Sequence, residues 1–168
     1  MAKSDSILST ADLHSLFEYK DGDLYWKTNS GGNGCVKAGA KAGTTHPDGY
    51  KSVRIKNTMI KQHRVIYMMF FGQLPKFIDH IDGDPSNNRI ENLREANPSQ
   101  NSWNHRMSKN NKSGIKGVSW HKRKNKWIAS CSINGSLKHV GYFENKSDAE
   151  EAVKSFRETN HREFANHG

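Results

Sequence analysis

A short polar stretch, FIDHIDGDPSNNRIENLR at residues 77–94, holds more small oxygen-bearing side chains than a turn requires. A turn needs Gly, Asn or Asp at only one or two positions. Here Asp79 and His80 stand side by side after an apolar run, and two more Asp and three Asn follow them. Carboxylate and amide oxygens bind hard cations, and imidazole moves protons near neutral pH. The stretch is therefore either a solvated loop or a site for metal-assisted chemistry.

A calcium-binding EF-hand does not fit these acids. That loop needs Gly at its sixth position and a bidentate Glu at its twelfth. Counting from Asp82, the sixth residue is Asn87 and the twelfth is Leu93. The pattern fails at both positions, which excludes the EF-hand.

Hydrolysis of a nucleic-acid phosphodiester is a reaction that these residue types fit. It needs an attacking water, a base that deprotonates the water, and a cation that neutralises the developing charge. A neutral His is the usual base, so His80 is the candidate, and Asp79 can supply a carboxylate to a cation such as Mg²⁺. Asn92 could orient the His80 ring, and Asn101, on the helix that follows, could return to the metal.

The positive charge of the chain is concentrated away from this stretch. The net charge is +9, and residues 108–143 contain eight Lys or Arg and no acidic residue. Residues 63–107, which include the candidate site, contain five basic and five acidic residues. A basic surface beside a neutral centre favours a polyanionic partner, and we expect double-stranded DNA.

The elements that must position the site can be predicted from periodicity and turn residues. Thr10 is a candidate N-cap of a short helix, DLYWK predicts a strand, and YKSVRI with TMIKQH predicts a β-hairpin. The Gly-rich residues 31–43 predict a loop, and HRVIYMMFF predicts a buried helix ending near Gly72. FIDHI and NLREA predict two short strands around the polar loop, and Pro98 suits the first turn of the next helix.

The pattern changes after residues 108–114, SKNNKSG, which predict a linker. KGVSWH, KWIASCSI and KHVGYF then predict three short strands, and an amphipathic helix follows. Ser147 is its candidate N-cap, with Glu150 completing a capping box. Residues alternate along the second strand, so one face is expected to pack on the helix and the other to face outward.

The segment HRVIYMMFFGQLP…IDHIDGDPSNNRIENLREANPSQNSWN resembles the HNH endonucleases of phage and intron homing type. The resemblance implies a ββα-metal fold at about residues 76–107, with Asp79 and Asn101 as metal ligands. It implies His80 as general base and Asn92 as the residue that orients it. Asn101 stands where many members have His, which favours one Mg²⁺ or Mn²⁺ per site over zinc because an amide oxygen is a hard ligand. His105 is an alternative ligand, whereas His63 and Arg64 are interpreted as structural.

Residues 112–165 resemble AP2 domains in the short motifs GVSW, KW, GYF and AEEAV. That family lays a three-stranded sheet in the major groove, so the resemblance implies that the outward residues contact DNA. Because Ser and His replace several Arg on this face, the sheet is expected to hold phosphates more than it reads bases. The candidate DNA-binding residues are Lys116, Ser119, His121, Arg123, Lys124, Lys126, Ser130, Ser132, Lys138 and His139.

Several classes of protein are disfavoured by composition. Cys35 and Cys131 form no C-x-x-C pair, so a zinc knuckle and a disulfide are not expected. No apolar run approaches the ~20 residues that span a bilayer. The first ten residues lack a signal-type apolar region. We therefore expect an intracellular, cytoplasmic protein that does not engage a membrane.

Together these patterns predict an α+β protein in three parts. Residues 1–107 hold the N-terminal region and the ββα-metal HNH nuclease domain, 108–114 the linker, and 115–168 an AP2-like sheet packed on one helix. The predicted function is a site-preferring DNA endonuclease of homing type that nicks one strand. It is expected to act as a monomer, with no obligate protein partner and with dimerisation on DNA as an option. The alternative is a non-enzymatic transcription regulator with a degenerate HNH scaffold.

Overall fold

The computed structural model describes residues 9–29, 35–105, 107–108 and 110–168 of the chain. Runs of two to five strands separate the α-helices, in keeping with the expected α+β class. The chain divides into two compact units, Met1–Glu95 and Ala96–Gly168. The predicted absence of a signal segment and part of the predicted Gly-rich loop concern residues 1–8 and 30–34, which lie outside the described residues.

The first unit begins with helix α1 (Thr10–Leu16), followed by the hairpin β1 (Phe17–Lys20) and β2 (Asp23–Trp26). The N-cap of α1 is Ser9 and not Thr10, because the Ser9 hydroxyl accepts from the Asp12 backbone N–H while the Asp12 carboxylate accepts from Ser9. This capping box satisfies donors that a helix start leaves open.

A second sheet leads into the longest helix of the first unit. It contains β3 (Thr44–Thr45), β4 (Lys51–Ile55) and β5 (Thr58–Lys61), and the last two form the predicted hairpin. The two-residue turn has φ values of 43° and 66° at Lys56 and Asn57, the left-handed geometry that tight hairpins require. Helix α2 (Gln62–Phe71) follows at once and ends at Gly72, which has a φ of 68°.

The hydrophobic core of the first unit buries most of the apolar residues of α2. Phe17, Leu24 and Ile66 are 0% exposed, and Val53 is 1% exposed. They belong to one cluster drawn from both sheets and from α1 and α2. Burying such side chains stabilises the fold by about 1.5–3 kcal/mol each. The cluster gives the polar stretch a rigid support.

The polar stretch, residues 77–94, begins with strand β6 (Phe77–His80) and runs into its pairing partner, β7 (Leu93–Ala96). The loop joining them ends in a 3-10 turn over Ile90–Asn92, and the Ile81 N–H donates to the Asn92 carbonyl at 2.9 Å. The predicted strand–loop–strand order is thus present, and helix α3 (Pro98–Trp103) follows it. The ββα-metal arrangement of these elements stays a prediction.

The second unit contains α3, a three-stranded antiparallel sheet and helix α4 (Lys146–His161). The sheet has the order β10-β9-β8 and is formed by β8 (Val118–His121), β9 (Lys126–Ile133) and β10 (Ser136–Phe143). Ala129, Cys131, Ala149 and Val153 form its buried centre between sheet and α4. These are the elements expected for the C-terminal part, while its likeness to AP2 domains stays a prediction.

The division between the units falls at Glu95 and Ala96, before the predicted linker. Helix α3 packs with the second unit, where the Trp103 ring stacks on His161 with centroids 4.2 Å apart and planes 4° apart. The predicted linker is an ordered turn where it is described. The Ser113 hydroxyl donates to the Val118 carbonyl at 2.6 Å, and Asn111 donates to the Ile115 carbonyl at 2.8 Å.

Two further features of the described residues bear on the expectations. Helix α4 begins at Lys146 with Asn145 as its N-cap, so the predicted Ser147–Glu150 capping box is wrong. The Asn145 amide instead donates to the Asp148 carboxylate at 3.0 Å. Every helix in the described part of the chain is too short or too polar to cross a membrane.

Candidate active site

The end of β6 places Asp79 and His80 inside the first unit. Each residue is only 5% exposed, although a carboxylate and an imidazole are both strongly hydrated groups. Buried groups of this kind need partners, because desolvation without them costs several kcal/mol. The partners of the two side chains therefore determine their orientation and charge.

Asp79 is held by Arg94 of the neighbouring strand β7. The Arg94 Nε and Nη2 atoms lie 2.9 and 2.8 Å from Asp79 Oδ2, and the Arg94 and Asp79 side chains are 16% and 6% exposed. A guanidinium is rigid and always charged, so it fixes both the charge and the orientation of the carboxylate. The pair gives a buried carboxylate with a defined direction.

His80 contacts a chain of two buried amides, which we call the amide relay and define as Gln62 and Asn88. His80 Nε2 lies 2.9 Å from Asn88 Oδ1, and Asn88 Nδ2 donates to Gln62 Oε1 at 3.2 Å. Gln62 Nε2 then donates to the Ala42 carbonyl at 3.3 Å. Gln62 is 0% and Asn88 1% exposed, so bulk water cannot replace these contacts.

Two aromatic rings also lie beside His80. The His63 ring meets it edge to face at 5.1 Å between centroids, and the Tyr50 ring lies 5.9 Å away. Burial, and next the nearby His80, lowers the pKa of His63 to about 3, so His63 is neutral near pH 7. Burial also raises the pKa of Tyr50. Both rings act as uncharged packing, consistent with the structural role expected for His63.

Asn92 is the residue expected to orient His80, but its amide is engaged with the loop. Its Oδ1 accepts from the Asp82 N–H at 3.1 Å, while its Nδ2 donates to Asp82 Oδ1 at 3.0 Å and to the Asn87 carbonyl at 2.8 Å. The direct contact to the ring comes from Asn88 instead. Asn92 therefore orders the loop in which Asn88 stands.

The donor set for a metal is sparse. Among the described residues, no group of three or more His, Cys, Asp or Glu side chains comes together as a metal site. Asp79 offers a hard oxygen, which fits a cation such as Mg²⁺ that takes one or two carboxylates and completes its shell with water and phosphate. Asn101 is half-buried on α3, and His105 is exposed after it, both in the second unit. Their participation stays a prediction.

Comparison with known proteins finds a family match in this part of the chain. Residues 61–103 match a family model described as HNH endonuclease. This part of the chain resembles the HNH endonucleases. Residues 61–103, which we call the HNH segment, contain Asp79, His80, Asn88, Arg94 and Asn101. The match runs from the end of β5 through α3, and so it includes residues of both units.

Two relatives extend the likeness beyond the HNH segment. Protein 3.8 of Escherichia phage T7 is 42% identical over 77 residues, which are 45% of this chain and 64% of the phage protein. Uncharacterized HNH endonuclease L560 of Acanthamoeba polyphaga mimivirus is 33% identical over 106 residues, 61% of this chain and 54% of that protein. The chain thus covers less than two thirds of each relative. No solved structure matches it.

Outside the HNH segment, the sheet of the second unit brings most of the expected DNA-binding residues to one face. Directly paired residues of antiparallel strands share a face. Ser119 pairs with Ile128, His121 with Lys126, and Ser130 with His139. This set, which we call the outer face, contains six of the expected residues. They are Ser119, His121, Lys126, Ser130, Ser132 and His139.

The turn between β8 and β9 adds two more cations to the outer face. Arg123 and Lys124 are exposed, and Lys124 Nζ lies 3.7 Å from the centre of the Tyr142 ring, which pairs with Ile128. The Lys126 ammonium is 2.8 Å from the Glu144 carboxylate, which offsets part of its charge. The outer face is thus basic at its turn and mostly neutral along its strands.

Two of the expected DNA contacts lie elsewhere. Lys116 donates to the Trp103 carbonyl at 2.9 Å and also to the His105 carbonyl, and burial lowers its pKa to about 8. Its ammonium joins the end of α3 to the segment before β8, which favours a structural role, and its predicted contact with DNA stays a prediction. Lys138 pairs with the buried Cys131 and therefore points to the opposite face from His139. An irregularity between His139 and Gly141 shifts the register there.

Sequence reasoning missed three residues of the site: Gln62, Asn88 and Arg94. Gln62 looked like part of a strand, and Asn88 looked like one Asn among several in a turn. Only burial distinguishes Asn88, which is 1% exposed, from the exposed or half-buried loop residues beside it. A signal did exist for Arg94, because a charged residue within the short apolar-flanked strand NLREA needs a partner of opposite charge.

Proposed function

We propose that the protein is a metal-dependent DNA endonuclease of HNH homing type that hydrolyses a phosphodiester bond. The observation that carries this proposal is the buried pair of Asp79 and His80, which stands within the HNH segment and is held by Arg94 and Asn88. A scaffold without catalytic duty has no need to bury an imidazole on a two-amide relay, which is costly unless every group is satisfied.

His80 is the general base of this proposal. In its neutral form it accepts a proton from water, and the resulting hydroxide attacks phosphorus. Because Asn88 holds the ring from one side and the His63 ring packs nearly perpendicular to it, the imidazole has little freedom to turn. A base held in one orientation needs no rearrangement when the substrate arrives.

Asp79 and Asn101 are the proposed ligands of one divalent cation. A carboxylate and an amide oxygen are hard donors and favour Mg²⁺ or Mn²⁺. When bound, such an ion neutralises the charge that develops on the phosphate and leaving oxygen. Arg94 keeps the Asp79 carboxylate oriented, and its own positive charge limits how strongly the carboxylate attracts a cation in the absence of phosphate.

Double-stranded DNA is the proposed substrate, and the outer face is its proposed second contact. The turn residues Arg123 and Lys124 suit phosphate contacts, while the Ser and His side chains along the strands supply weaker hydrogen bonds to bases. Strong phosphate contacts combined with weak base contacts favour a protein that prefers certain sites but does not recognise one strict sequence. The proposed mode is the one implied by the AP2 resemblance.

The proposed product is a nick in one strand. The described chain contributes one Asp79–His80 pair, and one such site acts on one phosphate at a time. Cutting both antiparallel strands requires a second subunit related by two-fold symmetry or a large movement.

Plasmid cleavage with and without Mg²⁺ tests the proposal against a non-enzymatic DNA-binding regulator. We expect conversion of supercoiled to open circular DNA only with the metal, and a large loss of rate in Asn101→Ala. Asn101→Asp restores a hard oxygen ligand and is expected to recover part of the rate. Binding to DNA without any cleavage, under every divalent metal tried, would favour the regulator.

A further inference from the structure

We propose that Gln62 and Asn88 are positioning residues that fix the neutral His80 ring as the tautomer with its proton on Nε2. Nδ1 then carries the lone pair that takes the proton from water. The uptake of a proton from water by Nδ1 rests on the proposed nuclease function. The assignment of the tautomer does not. Each hydrogen bond of the amide relay has a direction, and these directions together assign the proton.

The amide relay begins at the Ala42 backbone carbonyl. The Ala42 carbonyl is a backbone oxygen, which only accepts hydrogen bonds. Gln62 must therefore present its NH₂ group there, at 3.3 Å. The reversed amide would bring two oxygens together and take this donor away from the buried Ala42 carbonyl, and an unsatisfied buried acceptor costs about 1–3 kcal/mol. Gln62 is 0% exposed, so bulk water cannot relieve that cost.

The orientation of the Gln62 amide fixes the orientation of the Asn88 amide. With its NH₂ group on Ala42, Gln62 directs Oε1 at Asn88, and an oxygen can be met there only by the Asn88 NH₂ group, at 3.2 Å. Asn88 is 1% exposed, so bulk water cannot take the place of its contacts either. Its other end, Oδ1, must then face the His80 ring.

The relay ends by assigning the proton on His80. Asn88 Oδ1 lies 2.9 Å from His80 Nε2 and accepts a hydrogen bond, so Nε2 carries the hydrogen. A neutral imidazole has one donor nitrogen and one acceptor nitrogen, which makes Nδ1 the acceptor. The backbone of the chain at Ala42 thus decides which nitrogen of His80 is basic.

This direction of the hydrogen bonds suits a general base, because the bond from Nε2–H to Asn88 is the same before and after proton transfer. In the catalytic step an O–H bond of water breaks, an N–H bond forms at Nδ1, and the hydroxide oxygen bonds to phosphorus as the bond to the leaving oxygen breaks. The Nε2–H group keeps donating to Asn88 throughout. The relay therefore stabilises both the neutral and the protonated ring without rotating, which is what preorganisation requires.

Nitrogen NMR of the histidine side chains in the full chain tests the tautomer directly. Spectra are recorded at a pH where the His80 ring is neutral, and its signals are assigned by their loss in His80→Ala. We expect the wild type to show Nε2–H as the dominant form. Gln62→Met keeps the volume but removes the anchor, so Asn88 becomes free to reverse and the share of Nδ1–H should rise.

Two further variants keep the test decisive. Asn88→Asp retains an oxygen opposite Nε2 and has no N–H to offer, so it should keep the Nε2–H form even though Gln62 must adjust. Gln73→Met makes the same substitution at an exposed position and should leave the spectrum of His80 unchanged. If Gln62→Met does not fold, the wild type and Asn88→Asp still decide between the two tautomers.

Kinetics link the tautomer to the reaction. Gln62→Met is expected to lower single-turnover cleavage by about 10–100-fold with DNA affinity unchanged, as is usual when a residue that supports a site is removed. A wild-type ring that carries its proton on Nδ1, or a tautomer unaffected by Gln62→Met, would overturn the proposal. Absence of cleavage in the wild type would instead contradict the nuclease function and leave the NMR result standing.

Discussion

Two nitrogens of Arg94 converge on a single oxygen of Asp79. Arg94 Nε and Nη2 lie 2.9 and 2.8 Å from Asp79 Oδ2. The carboxylate proposed to bind a cation is thus already beside a buried positive charge. That charge stabilises Asp79 in the fold and would oppose a second cation at the same carboxylate, so we expect stability and the proposed metal binding to be linked through this pair.

Arg94→Leu should lower the stability of the metal-free protein and make it depend on Mg²⁺. Removing one partner of a buried ion pair typically costs about 3–5 kcal/mol, because the other charge is left uncompensated. A cation bound by Asp79 would restore part of that stability. Chemical unfolding with and without Mg²⁺ measures both effects.

Lys41→Met is the matched control for that experiment. Lys41 pairs with Asp23 at 2.7 Å, but its side chain is 54% exposed and Asp23 also contacts Lys51. Loss of an exposed pair is expected to cost no more than about 1 kcal/mol. An equal response of both variants to Mg²⁺ would mean that the ion acts on general charge and not at Asp79.

His80→Ala should reduce cleavage by about 10²–10⁴-fold while DNA affinity stays nearly unchanged. The residue is buried in the neutral part of the chain, so its role is expected to lie in chemistry and not in holding phosphates. His46→Ala, at an exposed position of the same unit, is the control. Full activity of His80→Ala across the pH range would contradict its assignment as base.

His63→Phe should flatten the dependence of stability on pH. Burial lowers the pKa of His63 from 6.5 to about 3, so the unfolded chain takes up a proton below pH 6.5 that the folded chain refuses. The contribution is therefore complete above about pH 6.5 and is lost as the pH falls toward 3, by at most about 1.4 kcal/mol per pH unit.

Urea unfolding at a series of pH values within that window gives the measurement for His63→Phe. The aromatic replacement keeps the contacts with Tyr50 and His80 but cannot take a proton. His46→Gln is the control, since His46 is exposed. A slope as steep as that of the wild type would show that other groups cause the acid sensitivity.

Replacing Arg123 and Lys124 together by Gln should make DNA binding weaker and less dependent on salt. Removing one phosphate contact is expected to reduce the log–log salt slope by about 0.9. Both side chains are exposed at the tip of the outer face, so stability should be unaffected. Titrations at several salt concentrations, with Lys20→Gln as an exposed control, give the slopes, and an unchanged slope would remove this turn from the DNA interface.

Lys116→Met is expected to behave in the opposite way. Because the ammonium donates to the carbonyls of Trp103 and His105, its loss should lower the thermal unfolding temperature and leave the salt slope of DNA binding within error. The two measurements on one sample separate a structural lysine from a phosphate contact. A smaller salt slope with unchanged stability would instead support Lys116 as a phosphate contact.

The protein should cleave one strand of a duplex in preference to both. A DNA duplex with a different label on each strand shows which strands are cut, with protein below and above the DNA concentration. We expect one label to be released first, at a rate that depends on protein to the first order. Simultaneous release of both labels with second-order dependence would indicate a cooperating dimer.

Local chemistry alone was enough to predict much of this protein. The hairpin of β4 and β5, helix α2 and the strand–loop–strand around the polar stretch follow from periodicity and turn residues, which act over a few neighbours along the chain. The same is true of the three strands and the helix after residue 114. The resemblance of the polar stretch and its flanks to HNH endonucleases was carried by motifs that are local in the sequence, and residues 61–103 match the HNH family model.

Contacts between residues distant in sequence were decided only by the tertiary structure. Asn88 and Asn92 are the same residue type in the same loop, but only the packing of α2 beside the loop sets Gln62 against Asn88. Lys116 looked like any basic surface residue until the fold brought backbone carbonyls to its ammonium. Hydrogen bonding of buried groups depends on which surfaces meet, and that is a property of the packed chain and not of any short segment.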